Sequence, residues 1–362
     1  MTFGISVDAG AWRLHCDDFR DRVYAADAAL IPVIKGHGYG LGQELLAREA
    51  MRMGVRAISV GTIHEVASVA DIFSGDIVVL EPVDPRDEVA VAAWRAQIDA
   101  GRGERLIRTV ACTEGLDFVI DTHPQPRVII EGRTSMRRFG FAGPALREGW
   151  EWAAQAANEG RLRLLGLTLH LPIAPSNADF DEILQLVDEI GDDSAHVLLS
   201  HVDTRGIEIL RRHKPTLRVS LRVGTGLWLG LRGALHAHGS VLAVHKVAKG
   251  DTVGYQRRRA RRNGYVVVVS GGTAHGVGLT APSPVVTARQ RVVSFGVGLL
   301  EALGRAKSPF SYKGRDLWFV DTPHQHVSML WLPASATPPA VGTALPADVR
   351  YTITRADSVL LR

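Results

Sequence analysis

Cysteine, long apolar runs and an excess of charge are all scarce in this sequence. Cys16 and Cys112 are the only cysteines, too few for a disulfide framework or a four-thiolate zinc site. No stretch of about 18 apolar residues occurs, so no transmembrane helix is predicted. The first residues lack the basic and apolar regions of a signal peptide. These absences favour a reducing cytoplasm.

The formal net charge is only +4, and a single run of arginines over residues 257–262 accounts for most of the excess. Such a run can bind nucleic acid or an acidic surface. The rest of the chain has no basic stripe with interleaved aromatic residues, so we expect no nucleic-acid partner. We interpret the run as the solvated tip of a hairpin.

A chain of 362 residues exceeds what one hydrophobic core usually organises, so two domains are expected. The first part alternates short, non-alternating apolar runs, typical of buried parallel strands, with amphipathic helical patterns. The predicted strands are Ala28–Lys35, Arg56–Val60, Ile77–Val83, Leu106–Ala111, Val128–Glu131, Leu164–Leu171, His196–Val202 and Leu217–Val223. The predicted helices are Glu44–Met53, Asp87–Ala100, Ala145–Glu159 and Asp179–Ile190. Eight strand–helix units predict a (β/α)8 barrel of the TIM type, with a doubly wound open sheet as the alternative.

The pattern changes after about residue 235, where Gly and Pro turns separate short strands. The predicted strands are Val241–Val247, Tyr265–Ser270, Leu317–Val320, Val327–Leu332 and Tyr351–Thr354, with one short helix at Val297–Leu303. This part is predicted to be an all-β domain. The expected boundary lies within Leu231–Gly239, which gives domains of residues 1–234 and 235–362.

Lys35 closes the first apolar run and is followed by a glycine-rich turn, Gly36–Gly42. In a barrel, chemistry collects at the carboxyl ends of the strands, and glycines let the backbone approach a ligand closely. A lysine whose amine is partly desolvated in such a pocket can form a Schiff base with an aldehyde.

The segment Val33-Ile34-Lys35-Gly36-His37-Gly38-Tyr39-Gly40-Leu41-Gly42 resembles the cofactor-attachment motif of alanine racemases, which are fold-type III enzymes dependent on pyridoxal 5′-phosphate (PLP). That family has a barrel followed by a β-domain. The resemblance implies that Lys35 carries PLP as a Schiff base and serves as one of two catalytic acid/base groups. It implies that Tyr39 hydrogen-bonds the cofactor phosphate.

A second segment, Ser135–Phe141, resembles the family's Gly-Met-x-Arg-x-Gly-Phe. The matching arginine is Arg138, which the resemblance assigns to the substrate carboxylate and the cofactor's phenolic oxygen. A guanidinium fork pairs well with such oxyanions. Seven residues earlier, Glu131 stands where many relatives have a carbamylated lysine. We interpret Glu131 as a built-in substitute for that negative charge, with an ordinary strand-end carboxylate as the alternative.

Two later strand ends add cofactor contacts by resemblance. His170, in Leu169–Leu171, matches a family histidine near the pyridine ring, although a buried core histidine is the alternative. Arg222 would face the pyridine nitrogen and, as a permanent cation, keep it unprotonated. The backbone of Gly224 and Thr225 would hold phosphate, as loops after the last barrel strands commonly do.

In the second domain, Lys249–Tyr255 resembles the family's Pro-Gly-Glu-x-Val-x-Tyr. The resemblance makes Tyr255 the second catalytic base, reaching the active site of the other subunit, and therefore implies a homodimer. A tyrosine that works near neutral pH needs a lowered pKa, because a free phenol titrates near 10.

The resemblance weakens around the substrate entrance. The family's Gly-Tyr-Ala-Asp-Gly becomes Gly272–Gly276, which removes a tyrosine, and its Cys-Met-Asp-Gln falls on His324–Val327. Gln325 is a predicted substrate contact, and the identity of the amino acid stays open. The Asn-Ser pair of the family near the seventh strand is absent, which leaves Ser200 and Thr204 as phosphate candidates. His324 and His326 alternate as strand residues do, but two ligands are too few to predict a metal.

The leading hypothesis is a cytoplasmic amino-acid racemase that removes and returns the α-proton with two bases. Another fold-type III reaction, such as decarboxylation or a dehydratase reaction, is the second hypothesis. A non-catalytic PLP-binding protein is the third, and the β-domain that carries Tyr255 argues against it.

Overall fold

The computed structural model describes residues 2–122, 124–173, 176–279 and 306–362. The chain divides into two compact units. We call Arg13–Gly38 together with Gly42–Gly230 the barrel unit. The strand unit consists of Met1–Trp12, Tyr39–Leu41 and Leu231–Arg362.

Strands and helices are numbered here in chain order. The strands are β1 (Phe3–Val7), β2 (Ala29–Pro32), β3 (Ala57–Val60), β4 (Asp76–Val79), β5 (Leu106–Val110), β6 (Arg127–Gly132), β7 (Arg163–His170), β8 (His196–Ser200), β9 (Arg218–Val223), β10 (Leu235–Val247), β11 (Thr252–Val253), β12 (Arg258–Arg259), β13 (Gly264–Ser270), β14 (Lys307–Tyr312), β15 (Arg315–Phe319), β16 (Val327–Pro333), β17 (Ala344–Ala347) and β18 (Ser358–Leu361). The helices are α1 (Ala9–Ala25), α2 (Gln43–Arg52), α3 (Val66–Ala70), α4 (Glu88–Asp99), α5 (Thr113–Thr122), α6 (Pro144–Asn158), α7 (Asn177–Ile190), α8 (Thr204–His213) and α9 (Thr225–Trp228).

The barrel unit contains a ring of eight parallel strands in the order β2-β9-β8-β7-β6-β5-β4-β3. The ring closes beyond the end of β2, where Val33 bridges to Ser59 and the amide of Ile34 donates to the Ser59 carbonyl over 2.6 Å. Each of the eight predicted strands is present, with bounds shifted by a few residues. The predicted (β/α)8 barrel is confirmed, and the open-sheet alternative is wrong.

Apolar side chains on alternate positions fill the inside of the ring. One cluster joins Ile31, Val78, Ile107, Ile129 and Leu198, which lie on β2, β4, β5, β6 and β8. Because strands on opposite sides of the ring contribute, these side chains pack across the barrel interior. The strands are thereby held in register, and their carboxyl ends form one rim.

The strand unit is a sheet in the order β13-β16-β15-β14-β17-β10-β1-β18, in which β10 also pairs with β13. The 13-residue strand β10 is long enough to pair with β1 and β17 through its first half and with β13 through its second half, where the register shifts between Val241 and Ala243. The predicted all-β character of this part is confirmed. The N-terminal strand β1, which the sequence pattern did not reveal, lies between β10 and β18.

One strand prediction is wrong. Residues 351–354 form a turn in which the amides of Ile353 and Thr354 both donate to the carbonyl of Arg350. Tyr351 and Thr354 are 6% and 1% exposed, so their burial imitates a strand pattern without extended backbone. The helix predicted at residues 297–303 lies outside the described residues. In the described part of the chain, no helix has the length and apolar character needed to cross a membrane.

Candidate active site

Lys35 follows β2 at the carboxyl rim of the barrel. The turn after it depends on glycine, because Gly36, Gly38, Gly40 and Gly42 all have φ between 62° and 89°. A Cβ on Gly38 would lie 2.5 Å from the backbone carbon of Gly42, so the turn could not close around a larger residue. Desolvation lowers the pKa of Lys35, and the positive charges of nearby arginines lower it further. The amine is thus easier to deprotonate than an ordinary lysine.

The carboxylate of Glu65 accepts hydrogen bonds from two backbone amides at this rim, a role that sequence reasoning missed. Its Oε1 accepts from the amide of Gly36 over 3.0 Å, and its Oε2 accepts from the amide of Gly61 over 2.7 Å. The pattern Thr62-x-x-Glu65 looks like a helix capping box, which would have assigned the carboxylate to the helix start. Instead, Glu65 ties the residue after Lys35 to the end of β3.

Glu131 lies on β6 and is 2% exposed. Its backbone anchors the following loop, because the amide of Phe141 donates to the Glu131 carbonyl over 2.8 Å and the amide of Arg133 donates to the Phe141 carbonyl over 2.7 Å. These two hydrogen bonds bring the end of the loop that carries Arg138 back beside β6. Nη2 of Arg138 lies 4.0 Å from Oε1 of Glu131. Burial raises the pKa of Glu131, while Arg222 and Arg138 oppose that rise.

Arg222 is the most deeply enclosed cation of the site, at 5% exposed on β9. Its Nη2 donates to the carbonyl of Leu169 over 3.0 Å. Its Nε is buried and has no hydrogen-bond partner among the described residues. Burial lowers the pKa of Arg222 to about 10, with Glu131 opposing and Arg138 adding to the decrease. A buried N–H donor without an acceptor is costly, so this atom fits a ligand that brings an acceptor.

His170, at the end of β7, is held as a neutral ring. Its Nδ1 lies 2.9 Å from the hydroxyl of Ser200, which also accepts from the amide of Leu171 over 3.2 Å. Burial and the charges of Arg138 and Arg222 lower the pKa of His170 to about 3. The predicted site histidine is therefore present at the rim as an uncharged hydrogen-bonding group.

A second histidine at the rim, His201, was not found by sequence reasoning. It follows β8 with φ of 61°, and its ring packs edge-on against that of His170 with centroids 5.3 Å apart. Burial lowers its pKa, and Lys35 and the two arginines lower it further. Nothing in the sequence marks a left-handed histidine, because the conformation is imposed by the strand end and not by a local motif.

The phosphate candidates differ in position. Gly224 precedes the short helix α9, and its carbonyl accepts from the amides of Leu227 and Trp228, which leaves the amides of Thr225 and Gly226 at the start of the helix. Such amides can donate to an anion. Ser200 is instead used by His170, as described above. Tyr39 is 7% exposed and belongs to the strand unit, so its phosphate contact stays a prediction.

Tyr255 lies in the strand unit and is 79% exposed. Its ring packs 4.3 Å from that of His324. The backbone of Tyr255 and Gln256 donates to Asp321, which is 2% exposed. Burial alone would raise the pKa of Asp321, but the backbone amides of Thr322, Gln256 and Tyr255 lower it. Asp321 therefore fixes the turn that presents Tyr255, and sequence reasoning missed this role.

The two segments that depart from the family pattern are paired with each other. The amide of Thr273 donates to the carbonyl of His324 over 2.8 Å, and the amide of Ala274 donates to that of Gln325 over 2.9 Å. The side chain of Gln325 is exposed. His324 packs on Tyr255, whereas His326 packs on His275 with centroids 5.9 Å apart. The two histidines precede β16 rather than lying on a strand, and they contact different rings.

Five of the predicted site residues thus lie together at the rim of the barrel unit: Lys35, Glu131, Arg138, His170 and Arg222. The predicted residues Tyr255 and Gln325 lie in the strand unit. Within the described ranges, no three His, Cys, Asp or Glu side chains are grouped as a metal site would require.

The sequence and the fold are similar to those of known proteins. The family model described as alanine racemase, N-terminal domain, matches residues 7–232. The alanine racemase of Nitrosococcus oceani is 24% identical over 259 residues, which is 69% of this chain and 69% of that protein. The structure of alanine racemase from Bartonella henselae with covalently bound pyridoxal phosphate has a TM-score of 0.68 at 16% identity, covering 98% of this chain and 93% of that one. Histidine racemase from Leuconostoc mesenteroides has a TM-score of 0.65 at 17% identity, covering 95% and 87% of the two chains.

Proposed function

The chain belongs to the alanine racemase family, and from that premise we propose that it is a PLP-dependent amino-acid racemase whose reaction takes place at the barrel rim. The observation that carries the proposal is the group formed by Lys35, Arg138, Arg222 and the buried Glu131. A lysine with a lowered pKa beside two cations suits an aldehyde cofactor that bears phosphate, together with a substrate that bears a carboxylate.

The residues present fit PLP. When bound, PLP withdraws electrons from the substrate's α-carbon and so makes the α-hydrogen acidic. Lys35 would hold the cofactor covalently, and the first amides of α9, at Thr225, would hold its phosphate. The unpartnered Nε of Arg222 would donate to the pyridine nitrogen. Because an arginine does not give up its proton to that nitrogen, the nitrogen stays an acceptor.

Arg138 would hold the substrate carboxylate, and Glu131 would orient Arg138. The 4.0 Å separation of Nη2 and Oε1 leaves part of the guanidinium fork for a second oxyanion. Glu131 is fixed within a strand, so it offers a charge whose position does not depend on solvent. His170, kept neutral at the rim, would add contact to the ring without adding charge.

Racemisation requires one proton carrier on each face of the α-carbon. Lys35 Nζ would serve one face and Tyr255 Oη the other. We assign Tyr255 to the site of a partner subunit, in a homodimer with shared active sites. Its 79% exposure in this single chain and the support of its turn by Asp321 agree with a residue presented to another molecule. We place the reaction in the cytoplasm, where the two thiols would stay reduced.

The substrate is proposed to be an amino acid with a larger or more polar side chain than that of alanine. Thr273 replaces a tyrosine and Gln325 a methionine of the family pattern, and the two segments that carry them are paired through backbone hydrogen bonds. A removed tyrosine leaves volume, and His326 and Gln325 offer hydrogen bonds that a methyl group would leave unused.

Exchange of the α-hydrogen in deuterated water tests this proposal. We expect the holoenzyme to incorporate deuterium and to invert configuration for at least one of alanine, serine, glutamine and lysine, with the polar substrates preferred by kcat/KM. A clear preference for alanine would show that the altered entrance does not set specificity. Loss of the carboxyl group or of the amino group, without inversion, would overturn racemisation in favour of a decarboxylase or a dehydratase. A protein that binds PLP and exchanges no α-hydrogen would be a non-catalytic PLP-binding protein.

A further inference from the structure

Arg108 is a buried cation outside the proposed catalytic site. It lies in the middle of β5, next to Ile107, which belongs to the cluster inside the barrel. Since successive residues of a strand point to opposite faces, Arg108 points away from the interior, toward the layer that contains α4 and α5. Only 3% of the residue is exposed.

The two terminal nitrogens of the Arg108 guanidinium carry the argument for a ligand. Both Nη1 and Nη2 are buried without an acceptor among the described residues. The guanidinium lies over the ring of Trp94, with its central carbon 5.1 Å from the ring centroid. A cation–π contact stabilises the positive charge but accepts none of the N–H groups in a hydrogen bond.

A cavity of about 30 Å³ lies beside this guanidinium. Most of its lining is apolar, with Val91, Ile98 and Phe118 among the residues, and no carboxylate contributes. A second cation, Arg95, also lines it. Two positive side chains and no negative one therefore border a space that is large enough for one small ligand.

Burial lowers the pKa of Arg108 to about 10 and is the sole cause of the shift. The side chain is thus still a cation near neutral pH, and no described acidic group stabilises it. A buried charge without a partner costs several kcal/mol. Either the arginine is a net cost to the fold, or a negative charge from solution lies beside it.

We propose that the cavity beside Arg108 is a binding site for a small monovalent inorganic anion of the chloride class. A monovalent ion balances the single charge of the buried guanidinium, whereas a water molecule would satisfy the N–H groups without supplying the negative charge. The anion would accept hydrogen bonds from Nη1 and Nη2 and would rest against the edge of the apolar lining. The site stabilises the barrel and takes no part in the proposed racemisation.

Anomalous diffraction locates such an ion directly. Crystals of the wild-type protein grown in bromide should show an anomalous peak within hydrogen-bonding distance of the Arg108 guanidinium. The peak should be absent from crystals grown without bromide. Density at this position that is water alone, with no bromide signal, would overturn the proposal, as would a carboxylate from the chain occupying the cavity.

Thermal unfolding in chloride, compared with gluconate at equal ionic strength, measures how much anion binding stabilises the fold. A ligand that binds only the folded state raises Tm with its concentration, and each tenfold increase above the Kd should add about 2 °C. Arg108→Met removes the charge at similar volume, so its Tm should not respond to chloride, and in gluconate it should equal or exceed that of the wild type.

Arg48→Met, which removes an exposed arginine from α2, is the matched control and should keep the full response. A chloride response that persists in Arg108→Met would contradict the assignment, and if that variant does not fold, the diffraction result decides.

Discussion

Oε1 of Glu131 lies 4.0 Å from Nη2 of Arg138, and the two residues are joined by the loop that begins at the end of β6. The Glu131 side chain is buried in a strand, whereas the Arg138 side chain is 35% exposed. The fixed negative charge of Glu131 thus lies on the buried side of the Arg138 guanidinium, whose other side faces solvent. The position of Glu131 in the strand would thus help to set where Arg138 holds a carboxylate ligand.

Replacing Glu131 with Gln should lower kcat/KM about 100-fold, because a misplaced positioning group costs about that much. PLP should still bind, since Lys35 and the phosphate loop are unchanged. The loss of kcat/KM should depend on the contact between the substrate's carboxylate and Arg138. Steady-state racemisation and the absorption of the bound cofactor measure the two effects. Glu148→Gln, an exposed change on α6, is the control, and an equal loss there would assign the effect to general charge.

The wild type should lose kcat/KM on acidification at a higher pH than an ordinary carboxyl group would dictate. Burial raises the pKa of Glu131, so it takes up a proton earlier as the pH falls and then no longer orients Arg138 by charge. The pH profile of kcat/KM should lack this acid limb in Glu131→Gln. An acid limb that is identical in both enzymes would belong to another group.

Reduction of the holoenzyme with borohydride should fix the pyridoxyl group on Lys35, as peptide mass mapping would reveal. Attachment of PLP to the apoenzyme needs the neutral amine, and desolvation lowers the pKa of Lys35. The rate of attachment should therefore rise with pH at values below those of an ordinary lysine. Lys35→Ala should carry no adduct, and an adduct on another lysine of the wild type would contradict the assignment.

Glu65→Gln should move that attachment profile to still lower pH. The carboxylate of Glu65 raises the pKa of Lys35, so its removal makes the amine easier to deprotonate. Glutamine has one acceptor oxygen where glutamate has two, so the amide of Gly36 or of Gly61 also loses its hydrogen-bond acceptor. This loss should lower kcat several-fold. Rapid-mixing absorbance of the apoenzyme measures the shift, and an unchanged profile with lower stability would leave Glu65 a purely structural residue.

Mixed subunits test whether the active site is shared. Lys35→Ala and Tyr255→Phe should each be inactive, and equal mixing with subunit exchange should restore about a quarter of full activity. Half of the dimers are then mixed, and each has one intact site. Mass spectrometry of the assemblies should confirm the exchange. Exchange without rescue would place Lys35 and Tyr255 of one chain in the same site.

Local sequence determined the barrel strands and the glycine-rich turn after Lys35. The eight apolar runs are buried on both faces, and such strands carry their own signature in composition and length. The turn after Lys35 was predictable because it has positive φ at Gly36 and Gly38, a constraint that is visible in the sequence as glycine. Arg138 and Arg222 were predicted from the resemblance of the residues that flank them to a family pattern, and their roles stay predictions.

Contacts between distant parts of the chain were decided by the tertiary structure alone. The strand pattern could not show that β1 pairs with β10 and β18, because pairing depends on which edges are free after the rest of the sheet has formed. The burial of Tyr351 looked like a strand although its backbone turns. Glu65, His201 and Asp321 carry no local motif for the roles described here, since each acts on backbone or rings from other segments. The pKa of Glu131 likewise depends on how deeply the closed barrel buries it, and closure is a property of all eight strands together.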